Sequence, residues 1–299
     1  MSENSIIKKL QDAFTTIKNN LHLLGQPEDA SKAIAFSNLD WYAKRAQAAY
    51  QSEADIRAAF PNTTMVKLLP EQDIQFFVET FPEQKQQVIT VRGTANKLNA
   101  IEDAEYVQAS DTRLGIYVHS GFLHSTNAVY AALTPHLISG FTIKLTGHSL
   151  GAAISTLLMM YLEKDGYSLA PSVNFGQPKV TNKAGADAYN FLPLLRVVDK
   201  NDIVPLIPVN TLLASIHGDY EHFGEEVILL DGEYFVYLDR HGVQHVITQS
   251  FIDNLNDLSL NDHRIANYCA HIESKLAGAI QVPFKEREKY IKQATPATA

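Results

Sequence analysis

The chain has 299 residues, 45% of them hydrophobic and 19% charged, and this is the balance of a globular protein large enough to bury a sizeable core. A net charge of −8 argues against a nucleic-acid partner, because phosphate binding requires clustered Lys and Arg. The single cysteine, Cys269, excludes an intramolecular disulfide, and no run reaches the ~20 apolar residues of a membrane span.

In chain order, Ile6, Ile7, Leu10, Phe14, Ile17, Leu21 and Leu24 recur every three or four residues, which predicts an amphipathic helix over 5–24 packed on the domain. The N-terminus has no continuous apolar run ahead of it, so no secretory signal is visible and the expected location is cytoplasmic. A second helix is expected from Asn38 to Gln51, carrying Trp41. Asp73 to Thr80 and Gln87 to Val91 read as strands about a Pro82–Lys85 turn. Residues 119–138 return to helical spacing through Tyr130, Leu133 and Leu137. Val173–Phe175 and Leu195–Val198 are short apolar runs ending in polar loops, as parallel strands are. Glu226–Leu230 and Tyr234–Leu238 flank Asp231-Gly232, a hairpin signal. Residues 263–280 read as a helix containing Cys269 as a packing residue, and Lys285–Ala299 as a fraying tail. With no linker or repeat in sight, the alternation predicts one α/β domain over 1–284, its mostly parallel sheet covered by helices on both faces, followed by a flexible tail over 285–299.

The most specific segment is Gly147-His148-Ser149-Leu150-Gly151, a Gly-x-Ser-x-Gly between an apolar strand (Phe141, Ile143, Leu145) and an apolar helix (Ala152, Ala153, Ile154, Leu157). That is the context of a nucleophile elbow: the serine sits on a strained turn, and small neighbours leave room for close packing. The helix that follows turns its N-terminus toward the site, where negative charge is favoured. A serine needs a base, and the base needs an orienting acid. For the acid, Asp202 lies in the loop after the strand Arg196–Val198, with Asp199 as its rival. For the base, His263 opens the last helix. The order Ser149, Asp202, His263 is that of α/β-hydrolases. Other histidines compete less well: His22, His124 and His136 flank the wrong elements, His241 and His245 lie near a hairpin, and His271 sits two turns into the helix. Two backbone N–H groups are required to hold an oxyanion. Leu150, after the nucleophile, supplies one, and Thr94, at the end of Val91-Arg92-Gly93-Thr94, the other.

These residues resemble those of the fungal-type, or class 3, lipases. The matching blocks, in order over residues 65–275, are Val91–Thr94, Val118–Phe122, Gly147–Gly151, Phe175–Val180, Asn201–Pro205 and Asp262-His263. The resemblance implies an α/β-hydrolase fold with Ser149, Asp202 and His263 as triad, Asp202 rather than Asp199 as the acid, and Thr94 as the oxyanion residue. It further implies that Asp103, nine positions on, supports Thr94, and that His119 and His148 are structural. The chain departs from the family at Ala100, where a lid tryptophan is common, and in lacking the disulfides of secreted fungal members. The implied activity is ester hydrolysis through an acyl-enzyme, most directly of acylglycerols. A short-chain carboxylesterase, a phospholipase A and a non-catalytic binding protein are the alternatives. No metal or organic cofactor is called for. The implied partner is a lipid or ester substrate, with a lipid–water interface as the place of action.

Overall fold

The computed structural model describes residues 30–93, 107–200, 202–208, 218–240 and 262–291. The helix expected over 5–24 therefore lies outside the described residues, as do 292–299 of the tail. In chain order the chain forms α1 (Phe36–Ala48), α2 (Glu53–Ala59), β1 (Thr63–Leu69), β2 (Ile74–Phe81), β3 (Gln86–Val91), β4 (Gln108–Asp111), β5 (Ile116–His119) and α3 (Ser120–Leu133). There follow β6 (Thr142–His148), α4 (Leu150–Lys164), β7 (Ser168–Leu169), β8 (Ser172–Phe175), β9 (Thr181–Asn182), α5 (Lys183–Tyr189) and β10 (Leu194–Asp199). The last elements are β11 (Tyr220–Glu221), β12 (Glu225–Leu229), β13 (Tyr234–Leu238), α6 (Ile265–Glu273) and β14 (Ile280–Gln281).

The main sheet runs β1-β2-β3-β6-β8-β10-β12-β13-β14, with β7 paired to β6. Its centre, β3, β6, β8, β10 and β12, is parallel throughout, and antiparallel pairs flank it at β1-β2-β3 and β12-β13. The central strands are buried on both faces, which is why Val88-Ile89-Thr90-Val91 and Val197-Val198 read as runs rather than alternations. A smaller sheet orders as β11-β9-β5-β4.

Two apolar layers cover the sheet. Helix α4 is buried without interruption from Gly151 to Leu162, and packs with α3 in one cluster around Ile89, Leu145, Leu157 and Leu158. On the other face, α1 presents Phe36, Leu39, Tyr42, Ala43 and Ala46 to Phe175, Val197 and Val227, together with Tyr268, Cys269 and Ile272 of α6. Arg45 of this helix pairs with Glu79 across a buried 2.6 Å contact, with its guanidinium over the Trp41 ring. No helix among the described residues is long and apolar enough to cross a membrane.

Several boundaries differ from the sequence reading, beginning with α1, which runs Phe36–Ala48 rather than Asn38–Gln51. Helix α3 stops at Leu133, because Pro135 follows within a 3₁₀ turn over Thr134–His136. Helix α6 stops at Glu273 rather than 280, and Ile280–Gln281 instead pairs parallel to β13. There the Lys275 ammonium turns inward and donates to the carbonyls of His271, Leu230 and Gly232, which closes the helix end. The segment after residue 284 does not fray at once: Phe284–Tyr290 is a 3₁₀ helix with Phe284 buried against Leu230, Val236 and Leu238.

Candidate active site

The site forms at the carboxyl ends of the parallel strands, where open α/β sheets gather their chemistry. Strand β6 ends at His148, α4 begins at Leu150, and Ser149 makes the turn between them with φ 60° and ψ −130°. Such a conformation is strained for a residue with a side chain and persists only where its surroundings enforce it. The enforcement is visible at the two glycines. A Cβ at Gly147 would lie 2.4 Å from the Gly151 carbonyl oxygen, and one at Gly151 would lie 2.2 Å from that of Val91. Helix α4 thus passes directly over the end of β3, and only glycine permits it. The Ser149 N–H is anchored on the Phe175 carbonyl at 3.0 Å. Leu150 is the first residue of α4, so its N–H has no carbonyl one turn earlier to bind.

His263 lies just before α6 and bridges two groups. Its Nε2 is 2.7 Å from Ser149 Oγ, and its Nδ1 is 2.8 Å from Asp202 Oδ2. All three side chains are buried. Asp202 is fixed from several sides: its Oδ1 accepts the Val204 N–H at 2.9 Å, its own N–H donates to the Asp199 carbonyl, and the Tyr268 phenol donates to Oδ2 at 2.5 Å. Burial, with Asp202 and Asp199 close by, holds the Tyr268 phenol well above its usual range, so it remains a donor.

Gly176, at the end of β8, faces this relay with φ +54°. A Cβ there would stand 2.9 Å from His263 Cε1 and Nδ1 and 3.1 Å from Asp202 Oδ2. The residue was quoted above only as part of a motif, although a glycine at a strand's carboxyl end carries the signal. Tyr268 gave no sequence signal, since nothing in helical spacing says what lies under a helix.

The rival acid, Asp199, is separate from the relay. It ends β10, buried, with Oδ1 2.6 Å from His271 Nδ1. Burial raises its carboxyl, and His271 pulls it back. Asp262 completes the acidic group. Burial first, then Asp199, pushes its carboxyl up to about 6. His119 caps α3, accepting the Phe122 N–H, and burial lowers it to about 4. Thr94 and Asp103 lie outside the described residues, as do the expected lid residues 95–103.

A hydrogen-bonded Ser-His-Asp relay on a strained strand-to-helix turn is the arrangement of serine hydrolases, and the sheet that carries it is an α/β-hydrolase fold. Residues 88–212 match the family model described as Lipase (class 3). The resemblance to fungal-type class 3 lipases read from the motifs therefore holds. A secreted mono- and diacylglycerol lipase of Fusarium solani is 33% identical over 176 residues, covering 54% of this chain and 50% of that protein. The chain thus spans half the length of this curated relative, and a smaller share, 28%, of a Caenorhabditis elegans lipase. The fold is shared with the crystal structure of a lipase from Rhizopus microsporus var. chinensis, at TM-score 0.63 and 23% identity over 82% of this chain and 91% of that one. It is shared also with a triacylglycerol lipase whose catalytic centre is formed by a serine protease triad, at TM-score 0.54 and 23% identity over 68% and 83% of the two chains.

These relatives correct the cytoplasmic location expected from the N-terminus. The Fusarium protein is a secreted lipase, which points to the outside of the cell. The expectation rested on the lack of an apolar run near Met1. The stretch near the start of a given sequence does not settle location, because export leaders are removed on maturation.

Proposed function

We propose that the protein is a serine carboxylic-ester hydrolase acting on acylglycerols, with Ser149 as nucleophile, His263 as base and Asp202 as orienting acid. The observation that carries the reading is the relay itself, 2.7 Å from Oγ to Nε2 and 2.8 Å from Nδ1 to Oδ2. Ser149 Oγ attacks the ester carbonyl as His263 Nε2 takes its proton. Asp202 fixes the tautomer and stabilises the imidazolium. Collapse of the tetrahedral intermediate breaks the ester bond, and His263 returns the proton to the departing alkoxide. Water, deprotonated by the same histidine, then attacks the acyl-enzyme and releases the acid. The Leu150 N–H and Thr94 are proposed to hold the oxyanion, with Asp103 bracing Thr94. Acylglycerols are preferred as substrate because the similar Fusarium protein is named for mono- and diacylglycerols. A lipid–water interface is the proposed place of action, and one domain over 1–284 the proposed functional unit.

The test is tributyrin hydrolysis followed through the solubility limit, with Ser149→Ala as control. The reading predicts a loss of about 10⁶ in kcat for the variant. A Ser149→Ala protein that turns over at near wild-type rate overturns it. A jump in rate as droplets form supports interfacial action, whereas plain saturation below the limit indicates a short-chain esterase.

A further inference from the structure

His148 precedes the nucleophile and touches no reacting atom, yet it is bound to the base twice. Its Nε2 is 2.7 Å from the main-chain carbonyl oxygen of His263, and its ring stacks on the His263 ring with centroids 4.6 Å apart and planes at 29°. Its Nδ1 is 2.8 Å from the Tyr50 hydroxyl. A carbonyl only accepts, so His148 Nε2 carries the hydrogen. Nδ1 is then the acceptor, and Tyr50 must donate to it. Burial holds the Tyr50 phenol well above its usual range, so the hydroxyl stays protonated. One carbonyl thereby fixes the direction of both bonds: Tyr50 O–H to His148, and His148 N–H to His263.

The geometry of the chain is specific. Tyr50 stands just beyond α1, and Gly93 just beyond β3. A Cβ at Gly93 would lie 2.5 Å from the Tyr50 oxygen and 3.0 Å from Ser149 Cβ, so the glycine lets three segments meet. The His263 main-chain carbonyl is held by the hydrogen bond from His148. The His263 side chain spends both ring nitrogens on Ser149 and Asp202, so the ring cannot anchor itself elsewhere.

We infer that Tyr50 and His148 are positioning residues for the base: Tyr50, by donating to Nδ1, supports the tautomer in which His148 grips the His263 carbonyl and backs its ring. The inference rests on the reading of His263 as general base. Neither residue contacts the acyl group, so their loss acts on kcat rather than KM. Displacement of a catalytic group by an ångström costs about 10²-fold, and one lost hydrogen bond of ordinary strength about five- to tenfold.

The experiment compares Tyr50→Phe, His148→Leu and His148→Gln with wild type, measuring kcat and KM on a p-nitrophenyl ester, the rate of labelling by a fluorophosphonate, and the thermal midpoint. A glutamine amide can occupy the Nε2 position and still donate to the His263 carbonyl, whereas leucine cannot. Tyr50→Phe is expected to lower kcat about five- to tenfold with KM within roughly twofold. His148→Leu is expected to lose about 10²-fold, and His148→Gln to recover most of that. Labelling rates should fall in the same proportions. Wild-type kcat in Tyr50→Phe and His148→Leu overturns the positioning role while leaving the triad reading intact. So does a His148→Gln protein that is as slow as His148→Leu at an equal thermal midpoint. Should His148→Leu fail to fold, Tyr50→Phe, which removes a single oxygen, decides the matter. Failure of wild type to label overturns the triad reading, and this inference with it.

Discussion

Gly176→Ala adds one methyl group at the most crowded point of the site. The backbone there has φ +54°, which costs an alanine about 1–2 kcal/mol. That penalty alone is a stability effect. The steric effect is separate: the new Cβ would stand 2.9 Å from two atoms of the His263 ring and 3.1 Å from Asp202 Oδ2. Carbon contacts are comfortable at about 3.5–4.0 Å, so the ring must retreat by roughly half an ångström or more. Its hydrogen bonds, 2.7 Å to Ser149 and 2.8 Å to Asp202, stretch or bend accordingly. Since 1 Å of misplacement costs about 10²-fold, the expected fall in kcat is about 10- to 100-fold. The assay is p-nitrophenyl ester hydrolysis alongside urea unfolding. Gly232→Ala is the control: its φ is +61°, but nothing lies within 4 Å of the new Cβ. The control should lose comparable stability and keep its kcat. A Gly176→Ala enzyme within twofold of wild-type kcat would refute the reasoning, because the crowding would then not reach the relay.

Tyr268→Phe removes a phenol that donates to a buried carboxylate at 2.5 Å, and urea unfolding should show a loss of about 1.5–3 kcal/mol; a loss under ~0.5 kcal/mol would mean that Asp202 does not depend on it. Asp262 is held at about 6 against 3.8 in an open chain, so between those values the folded state keeps a proton that the unfolded chain has released. Stability therefore falls as pH rises from about 4 to 6 and stays lower above that. The gap corresponds to about 3 kcal/mol at full coupling, and to about 1–2 kcal/mol once screening at this part-exposed site is allowed for. Asp262→Asn should accordingly be more stable than wild type at pH 7.5 and no more stable below pH 4, as read by urea midpoints. A variant with the same advantage at both pH values would exclude ionisation as the cause.

Much of the scaffold was legible because parallel strands buried on both faces must be apolar runs. Val88–Val91, Val173–Phe175 and Val197-Val198 are such runs, and the structure has strands at each. The elbow was legible for a different reason: Gly147 and Gly151 record close approaches that no other residue tolerates. Helix ends were less so. Nothing in the spacing of residues 263–280 tells that Lys275 turns inward to close α6 at Glu273, or that Ile280 joins a strand. Lys285–Tyr290 likewise continue a 3₁₀ helix, with Arg287 buried, where their charge pointed to fraying. The supporting residues were the least visible. Tyr50, Tyr268 and Gly176 act on the site through contacts across 98, 66 and 87 positions of chain, with His148, Asp202 and His263 respectively, and local pattern has no access to such contacts. Asp199 looked like a competitor of Asp202 in sequence; three positions separate them, but one meets His271 and the other His263.

The most direct test of the central claim is the site of covalent modification by diethyl p-nitrophenyl phosphate, mapped by peptide mass spectrometry while residual ester hydrolysis is followed. The account predicts one diethylphosphoryl group on Ser149, within the peptide containing Gly147–Gly151, with activity lost in proportion to labelling. No adduct, or an adduct on another residue with Ser149 unmodified as activity disappears, would contradict it.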